Sequence, residues 1–193
     1  MKYMLNKLRL AFLITAVSVA ISSCKKIVDV EPKNIVGVEN MYRNVFDADA
    51  AVVGVYGKFM KLAKPYMILN ELRGDLMDIT NNADLNLRQV SEHTATVNNP
   101  YTDPQPFYDV IVNCNDVLDN FKKMYAASKL KEAEFNQRYS DVGAIRSWVY
   151  LQLGIHYGTI PYVTNPILQV QDLKDNSNFP RLTLPVLIDS LVA

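Results

Sequence analysis

The chain of 193 residues is poor in the residue types that cross-link a small protein or equip it for catalysis, with two cysteines, two histidines and one tryptophan. Two cysteines permit at most one disulfide, so packing must supply the stability. His93 and His156 lie 63 positions apart, and the sequence has no helical metal-binding pair, no Gly-x-Ser-x-Gly and no phosphate-binding loop. These absences predict a protein that is not an enzyme and that needs no metal or cofactor.

The chain also lacks an apolar run long enough for a transmembrane helix. Its longest such run, 10–21, holds 12 residues, whereas a membrane-spanning helix needs about 20. Three basic residues precede the run (Lys2, Lys7 and Arg9), and no acidic residue occurs before Asp29. This pattern is typical of an exported protein, and it predicts a signal peptide over 1–23.

The sequence Ser22-Ser23-Cys24 directly follows this run, and small residues before a cysteine resemble a bacterial lipobox. We therefore expect Cys24 to be acylated, for example with palmitate, and to become the first residue of the mature protein. Two or three acyl chains, each methylene contributing about 0.8 kcal/mol, would hold the protein on a membrane. The alternative is an ordinary signal peptide followed by a chance cysteine. Residues 24–46, which lack a sustained period, form the lipidated N-terminus and tether.

The charge balance argues against a nucleic-acid partner. Residues 24–193 contain 17 basic and 20 acidic residues, a net charge of −3, whereas phosphate binding requires a clustered positive surface. Lipidation of Cys24 would leave Cys114 as the one remaining cysteine. Cys114 shares a helical face with apolar residues and is interpreted as a small buried core residue, with a reactive thiol as the alternative.

Helical periodicity dominates the rest of the chain. A first helix begins near Asp47, the expected N-cap, and ends before Pro65, and a short helix follows over 66–73. A second strong helix is expected to begin at 103–106, with its apolar residues on one stripe. That stripe consists of Phe107, Ile111, Cys114, Leu118 and Phe121.

A third long helix is expected over 131–157, with Gly158 as its left-handed cap. Small residues within it (Gly143, Ala144 and Ser147) would let a neighbouring helix approach closely. Strand signals are limited to 160–163 and 168–170. The fold class is therefore mainly α, with a domain over 47–193 built from paired helices.

The last helix, 182–193, has Thr183 as its cap and an apolar stripe that includes Leu187. The sequence stops in the middle of this pattern, and the stripe has no evident partner. We therefore expect this chain to be the N-terminal part of a longer protein.

The polar segment 76–102 is expected to be a long irregular surface loop, of the kind that often carries function. Sugar recognition uses aromatic platforms and planar polar groups. The candidates for ligand binding in this region are Asp75, Asn81, Asn82, Arg88, Asn98 and Tyr101. A calcium loop is a weaker interpretation of its aspartates, because their spacing departs from the EF-hand pattern. Trp148 is assigned to core packing.

Five stretches of the chain form a recognisable pattern. They are Val28-Asp29-Val30-Glu31-Pro32 after Cys24; the helix 47–62 with Ala50-Ala51 and Gly54-Val55-Tyr56; Glu71-Leu72-Arg73-Gly74-Asp75; Phe107-Tyr108 with Ile111, Asn113-Cys114-Asn115 and Val117-Leu118; and Ala144-Ile145-Arg146-Ser147-Trp148-Val149-Tyr150-Leu151 with Tyr157-Gly158 and Pro161. Taken in this order, they resemble the N-terminal region of the SusD/RagB family of Bacteroidetes outer-membrane lipoproteins.

The resemblance implies a tetratricopeptide-like scaffold of helical pairs with long loops, forming part of a larger SusD-like fold. It also implies a lipoprotein in the cell outer membrane that binds an oligosaccharide or similar nutrient and delivers it to a TonB-dependent, SusC-like transporter. The lipoprotein is expected to be exposed at the cell surface. Lys25 and Lys26 stand where the family often carries acidic residues, so a periplasm-facing lipoprotein is the alternative. Two rival functions are a lipid-anchored helical scaffold that binds only protein partners and a lipid-anchored hydrolase with catalytic residues elsewhere.

Overall fold

The structure is a computed structural model that describes Tyr3 and residues 41–192. The predicted signal peptide, Cys24 and most of the predicted tether lie outside the described residues.

The region 41–192 is mainly α-helical, as predicted from the sequence. Its helices are α1 (Val45–Phe59), α2 (Leu85–Ser91), α3 (Gln105–Ala126), α4 (Glu132–Tyr157) and α5 (Leu184–Val192). Two short strands, β1 (Ile160–Pro161) and β2 (Arg181–Leu182), pair antiparallel with Ile160 opposite Leu182. Four 3₁₀ turns lie at Met60–Leu62, Pro100–Thr102, Val170–Leu173 and Asn176–Asn178.

The first helix begins earlier than predicted. Asn44, not Asp47, is the N-cap, and its Oδ1 accepts hydrogen bonds from the backbone N–H groups of Phe46 and Asp47. Asp47 instead lies in the first turn and forms an ion pair with Arg43 at 3.0 Å. The apolar face starts at Val45, which packs against the core, and this contact favours the earlier start.

Pro65 does not end the helical conformation, contrary to the prediction. After α1 the chain passes through the turn Met60–Leu62, an α-helical turn Ala63–Tyr66 and a π-helix Met67–Leu72. Pro65 lies within the first turn of this restarted segment, where a missing N–H costs little. The short helix predicted over 66–73 is therefore present, but most of it is π-helical.

Helices α3 and α4 form an antiparallel pair at the centre of the core. The rings of Tyr125 and Phe135 stack at one end with centroids 4.7 Å apart, and Phe107 meets Tyr157 edge-on at the other. Helix α1 packs against both. The stripe predicted for α3 is confirmed, because all five of its residues are buried. Burial raises the pKa of the Cys114 thiol to about 12, which fits a core residue and not a reactive thiol.

The close helix approach on α4 occurs at a different glycine from the one predicted. A Cβ added to Gly143 would meet no atom within 4 Å, whereas one added to Gly154 would lie 2.7 Å from Leu187 Cδ2 and 2.8 Å from Leu184 Cδ1. Helix α5 therefore packs on α4 at Gly154, with Leu187 fully buried. The idea that the apolar stripe of the last helix lacks a partner is thus wrong.

The chain after α4 is held by side chains more than by a sheet. Helix α4 ends at Gly158, whose φ of +73° fits the predicted glycine cap. The strand predicted over 160–163 is shorter, because Tyr150 Oη and Asn115 Nδ2 bind the backbone of Val163. The segment 168–170 is not a strand, since Asp172 Oδ2 accepts the N–H groups of Leu168 and Gln169 and starts a 3₁₀ turn there.

Candidate functional site

A cleft of about 590 Å³ lies where the π-helix, the segment after α2 and the end of α4 meet. We call it the basic cleft, because its lining contains Arg73, His93 and His156 and no carboxylate. Leu69 and Val90, which are 3% and 1% exposed, form its apolar floor. The remaining lining residues are Ala95, Thr96, Val97, Thr102, Pro104 and Tyr157.

The π-helix places Arg73 opposite His156. Asn70 Nδ2 donates hydrogen bonds to Tyr66 O at 3.1 Å and across to Gln152 Oε1 at 3.2 Å. His156 follows Gln152 by four residues, a spacing that brings both onto one face of α4. The part-buried Asn70–Gln152 contact therefore joins the π-helix, which ends at Arg73, to the face of α4 that carries His156. π-helical turns of this kind often occur at functional sites.

Both helices at the rim end in a Schellman motif with a non-glycine residue at the left-handed position. After the π-helix, Asp75 has φ +60° and the N–H of Leu76 donates to Glu71 O; after α2, His93 has φ +56° and the N–H of Thr94 donates to Gln89 O. Glycine usually occupies this position, and other residues there cost about 1–2 kcal/mol. His93 Nε2 and Asp75 Oδ1 lie 3.9 Å apart, so the two strained residues face each other.

Burial dominates the titration of the α4 end of the cleft. Desolvation lowers the pKa of His156, and the positive charge of Arg73 lowers it further. His156 Nε2 is buried and has no hydrogen-bond partner among the described residues. Burial raises the pKa of Tyr157 to about 12, and its hydroxyl donates to Thr102 O at 3.1 Å. At neutral pH the cleft therefore holds a neutral imidazole and a neutral phenol beside one permanent cation.

The segment 76–102 is more ordered than predicted, because it contains α2 and the turn Pro100–Thr102. Asp84 is the N-cap of α2 and accepts from the backbone N–H of Leu87. Asp84 Oδ2 also accepts the hydroxyl of Tyr101 at 2.6 Å, and this hydrogen bond lowers the pKa of the carboxyl. Asn99, 2% exposed, donates from Nδ2 to Asn86 O and so ties the segment to α2.

A second depression, the apolar groove, lies on the other side of the π-helix and has a volume of about 660 Å³. Met67 and Met77 remain roughly half exposed on its walls. Its other lining residues are Ala63, Lys64, Ile68, Leu72, Asp78, Ile79, Thr80, Ala83, Leu87 and Tyr101. Exposed methionines and aliphatic side chains suit contact with an apolar surface.

The predicted ligand residues are not gathered at one site. Tyr101 lines the apolar groove, with Lys64 Nζ 5.1 Å from its ring centroid, and Asp75 stands at the rim of the basic cleft beside His93. The other four lie on the lining of neither depression. Asn81, Asn82 and Asn98 are exposed in turns, and Arg88 Nη2 points back to Ala83 O at 3.5 Å.

The residues that do line the basic cleft were present in the sequence analysis under other roles. Arg73 belongs to the stretch Glu71-Leu72-Arg73-Gly74-Asp75, and Tyr157 opens the stretch that ends α4. These two stretches of the family resemblance meet at the cleft. His156 and His93, which the sequence analysis considered only as a possible metal-binding pair, both line it, and His93 is exposed at its rim. Trp148 contacts Phe59 and Tyr66 at the edge of the core, in agreement with its assignment to packing.

Over residues 41–192, no three side chains of the metal-ligating types are grouped as a metal site requires. None of the helices in the same range combines the length and apolar character needed to cross a bilayer. Arg73, His93 and His156 around an apolar floor make the basic cleft suited to binding a polar ligand with a partly apolar face. Comparisons of the chain with protein-family models, curated proteins and solved structures found no match.

Proposed function

We propose that this protein is a non-enzymatic nutrient-binding lipoprotein of the SusD/RagB kind. In this proposal Cys24 carries the lipid that anchors it in the outer membrane, and a tetratricopeptide-like arrangement of helical pairs presents the binding face. The bound oligosaccharide is then passed to a TonB-dependent transporter. The motif resemblance in the sequence and the mainly helical fold support this proposal.

The basic cleft is the observation that carries the binding function. Hydrogen-bonding groups surround an apolar floor, and this is the combination that an oligosaccharide requires, because each sugar ring has a hydroxyl-rich edge and a C–H face. Its volume of about 590 Å³ lies within the range of ligand pockets. Its walls come from three separate segments, so the folded scaffold, not one flexible loop, determines its shape.

A glycan array followed by titration calorimetry on the intact protein tests the binding function. We expect saturable binding of at least one oligosaccharide. The double variant Arg73→Ala/His93→Ala should weaken that binding by roughly tenfold or more, because it removes two hydrogen-bonding groups from the lining. Arg43→Ala is the matched control, since Arg43 is an exposed arginine paired with Asp47 on α1. Hydrolysis of glycosidic substrates by the purified protein would contradict a binding function and favour the hydrolase.

The lipid anchor is tested separately in cells supplied with radioactive palmitate. The wild-type protein should be labelled and should partition with membranes, whereas Cys24→Ala should lose both properties. Cys114→Ala is the matched control, because Cys114 is buried in the core and should not affect labelling. A wild-type protein that remains unlabelled and free in solution would exclude the anchor.

The apolar groove favours a second candidate function, a lipid-anchored scaffold that binds only protein partners. The exposed side chains of Met67 and Met77 could pack against an apolar surface of such a partner. The double variant Met67→Lys/Met77→Lys should then abolish retention of the partner in pull-down experiments. This second candidate requires in addition that no glycan binds the wild-type protein.

A further inference from the structure

The lining of the basic cleft carries one unpaired charge. Arg73 is the one permanently charged residue in this lining, and its side chain is exposed to solvent. Its guanidinium forms no hydrogen bond or ion pair with any other residue in 41–192. Two acids act on other residues of the cleft: Asp75, whose side chain is 82% exposed, lies 3.9 Å from His93, and the charge of Asp103 helps to raise the pKa of Tyr157.

The second unmatched group is His156. Its Nε2 is buried without a partner, although buried polar atoms are nearly always hydrogen-bonded in folded proteins. Arg73 lies close enough to influence the titration of both His156 and Tyr157. Because this imidazole nitrogen is buried, the exposed guanidinium of Arg73 is the one of these two groups that an anion in the cleft can reach.

A planar carboxylate matches this arrangement best. A guanidinium binds a carboxylate through two parallel N–H···O hydrogen bonds, and such charge-assisted bonds are roughly twice as strong as neutral ones. The more exposed apolar residues of the lining, among them Val97 and Pro104, would meet the C–H face of a ring that carries the carboxylate. The hydroxyl of Thr102 donates to Asn99 O and can still accept a hydrogen bond from a ligand hydroxyl.

We propose that the basic cleft binds an acidic sugar, a uronic or sialic acid residue, whose carboxylate is held by Arg73 and whose ring lies against the apolar part of the lining. This inference rests on the proposed binding function and specifies its ligand class. An acidic peptide carries the same carboxylate, but one common way in which peptides bind, addition of a strand to an exposed sheet edge, has no edge to use here. The described residues that line the cleft belong to helices, turns and loops.

Calorimetry on the intact wild-type protein tests the ligand class without any mutation. The probes are trigalacturonate, its methyl ester, neutral galactotriose, 3′-sialyllactose, lactose and triglutamate. We expect an acidic sugar to bind. Its neutral counterpart should bind with an affinity at least about tenfold lower, because the charge-assisted hydrogen bonds are lost. Raising the salt concentration should lower the affinity for the acidic probe and leave the affinity for a neutral probe unchanged.

Variants then assign the carboxylate to Arg73. Arg73→Gln should lower the affinity for the acidic sugar to that of the neutral counterpart, whereas Arg73→Lys should retain part of the difference. Arg43→Gln removes the same charge elsewhere and should leave the affinity unchanged. Circular dichroism and thermal unfolding show whether each variant is folded, and the comparison of charged and neutral probes on the wild type is independent of that outcome.

The outcomes separate this inference from the proposed function. Equal affinity for acidic and neutral sugars overturns the acidic-sugar inference and leaves glycan binding in place. Binding of triglutamate as tight as that of the acidic sugars also overturns it, in favour of a peptide ligand. Failure of every sugar to bind overturns both proposals.

Discussion

The α3–α4 pair and the segment 60–104 are built by different means. In the pair, apolar side chains at helical spacing are buried against the neighbouring helices. In the segment, a 3₁₀ turn, a π-helix and two left-handed residues follow each other within a short stretch. Most of the buried core residues lie on the pair, whereas the unmatched polar groups of the cleft occur where the segment meets the end of α4.

The largest effect should come from breaking the pair itself. Phe121 is fully buried, so Phe121→Ala should lower the free energy of unfolding by about 3–5 kcal/mol, from lost apolar burial and the cavity left behind. Val97, which is fully exposed at the cleft, is the control. Val97→Ala should change the free energy of unfolding by less than about 0.5 kcal/mol. Urea unfolding measures both. Similar losses for the two variants would contradict the division between a stabilising core and a less packed site.

Substitutions at two glycines of α4 should have effects of intermediate size on stability. Gly154→Leu should cost about 1–3 kcal/mol, because its side chain would overlap Leu184 and Leu187 and displace α5. Gly143→Ala should instead stabilise the protein by about 0.5–1 kcal/mol, since it has open space and alanine favours a helix. Thermal unfolding compares the two. A stabilising Gly154→Leu would show that α5 does not pack as described.

Replacing Gln152 should lower stability less than the preceding core substitutions, but it should clearly lower ligand affinity. Gln152→Leu removes the acceptor that Asn70 uses on α4, at about 0.5–1.5 kcal/mol, and it also releases the π-helix, which ends at Arg73, from the helix that carries His156. Asn120→Leu is the matched control, because Asn120 and Gln152 are both 7% exposed and Asn120 donates to Asp116 O.

The two variants should therefore differ in ligand affinity and not in unfolding. We expect ligand affinity to fall clearly in Gln152→Leu and to stay near wild type in Asn120→Leu. Equal affinities in the two variants would remove the positioning role from the Asn70–Gln152 contact.

The smallest effect is a pH dependence that originates in His156. The unfolded chain takes up its proton near the ordinary pKa of 6.5, whereas the folded state, with a lowered pKa, takes it up at lower pH. The free energy of unfolding should therefore be constant above this range and should fall as pH drops through 6.5. His156→Phe should flatten this part of the profile in urea titrations between pH 8 and 5. A variant that keeps the full wild-type slope would assign the dependence to other groups.

The success and failure of the sequence analysis follow the same division. The α3 stripe and the bounds of α4 were predicted well, because each depends on neighbours three or four residues away. Gly143, Ala144 and Ser147 were expected to admit a neighbouring helix, but α5 packs at Gly154, because periodicity does not show which face of α4 receives α5. The cap of α1 was misplaced by three residues because Asn44 and Asp47 are both good capping residues, and packing at Val45 decided between them.

The candidate site shows the limit more clearly. Residues were chosen for their polarity within one segment, and only Asp75 and Tyr101 came to lie at a cleft or groove. Arg73 and His156 were missed as a pair because no local pattern joins positions so far apart in the chain. The contact between Asn70 and Gln152, which joins two of the helical segments beside the cleft, is visible only in the tertiary structure.

The amino-acid sequence alone determined the mainly helical class, the buried face of α3 and the glycine that ends α4, because these depend on local periodicity and local backbone freedom. Only the tertiary structure decided where α5 packs, how the chain continues through Pro65, and that Arg73, His93 and His156 surround one cleft. The physical reason is that these features arise from contacts between residues distant in sequence, whose energies no short window of residues contains.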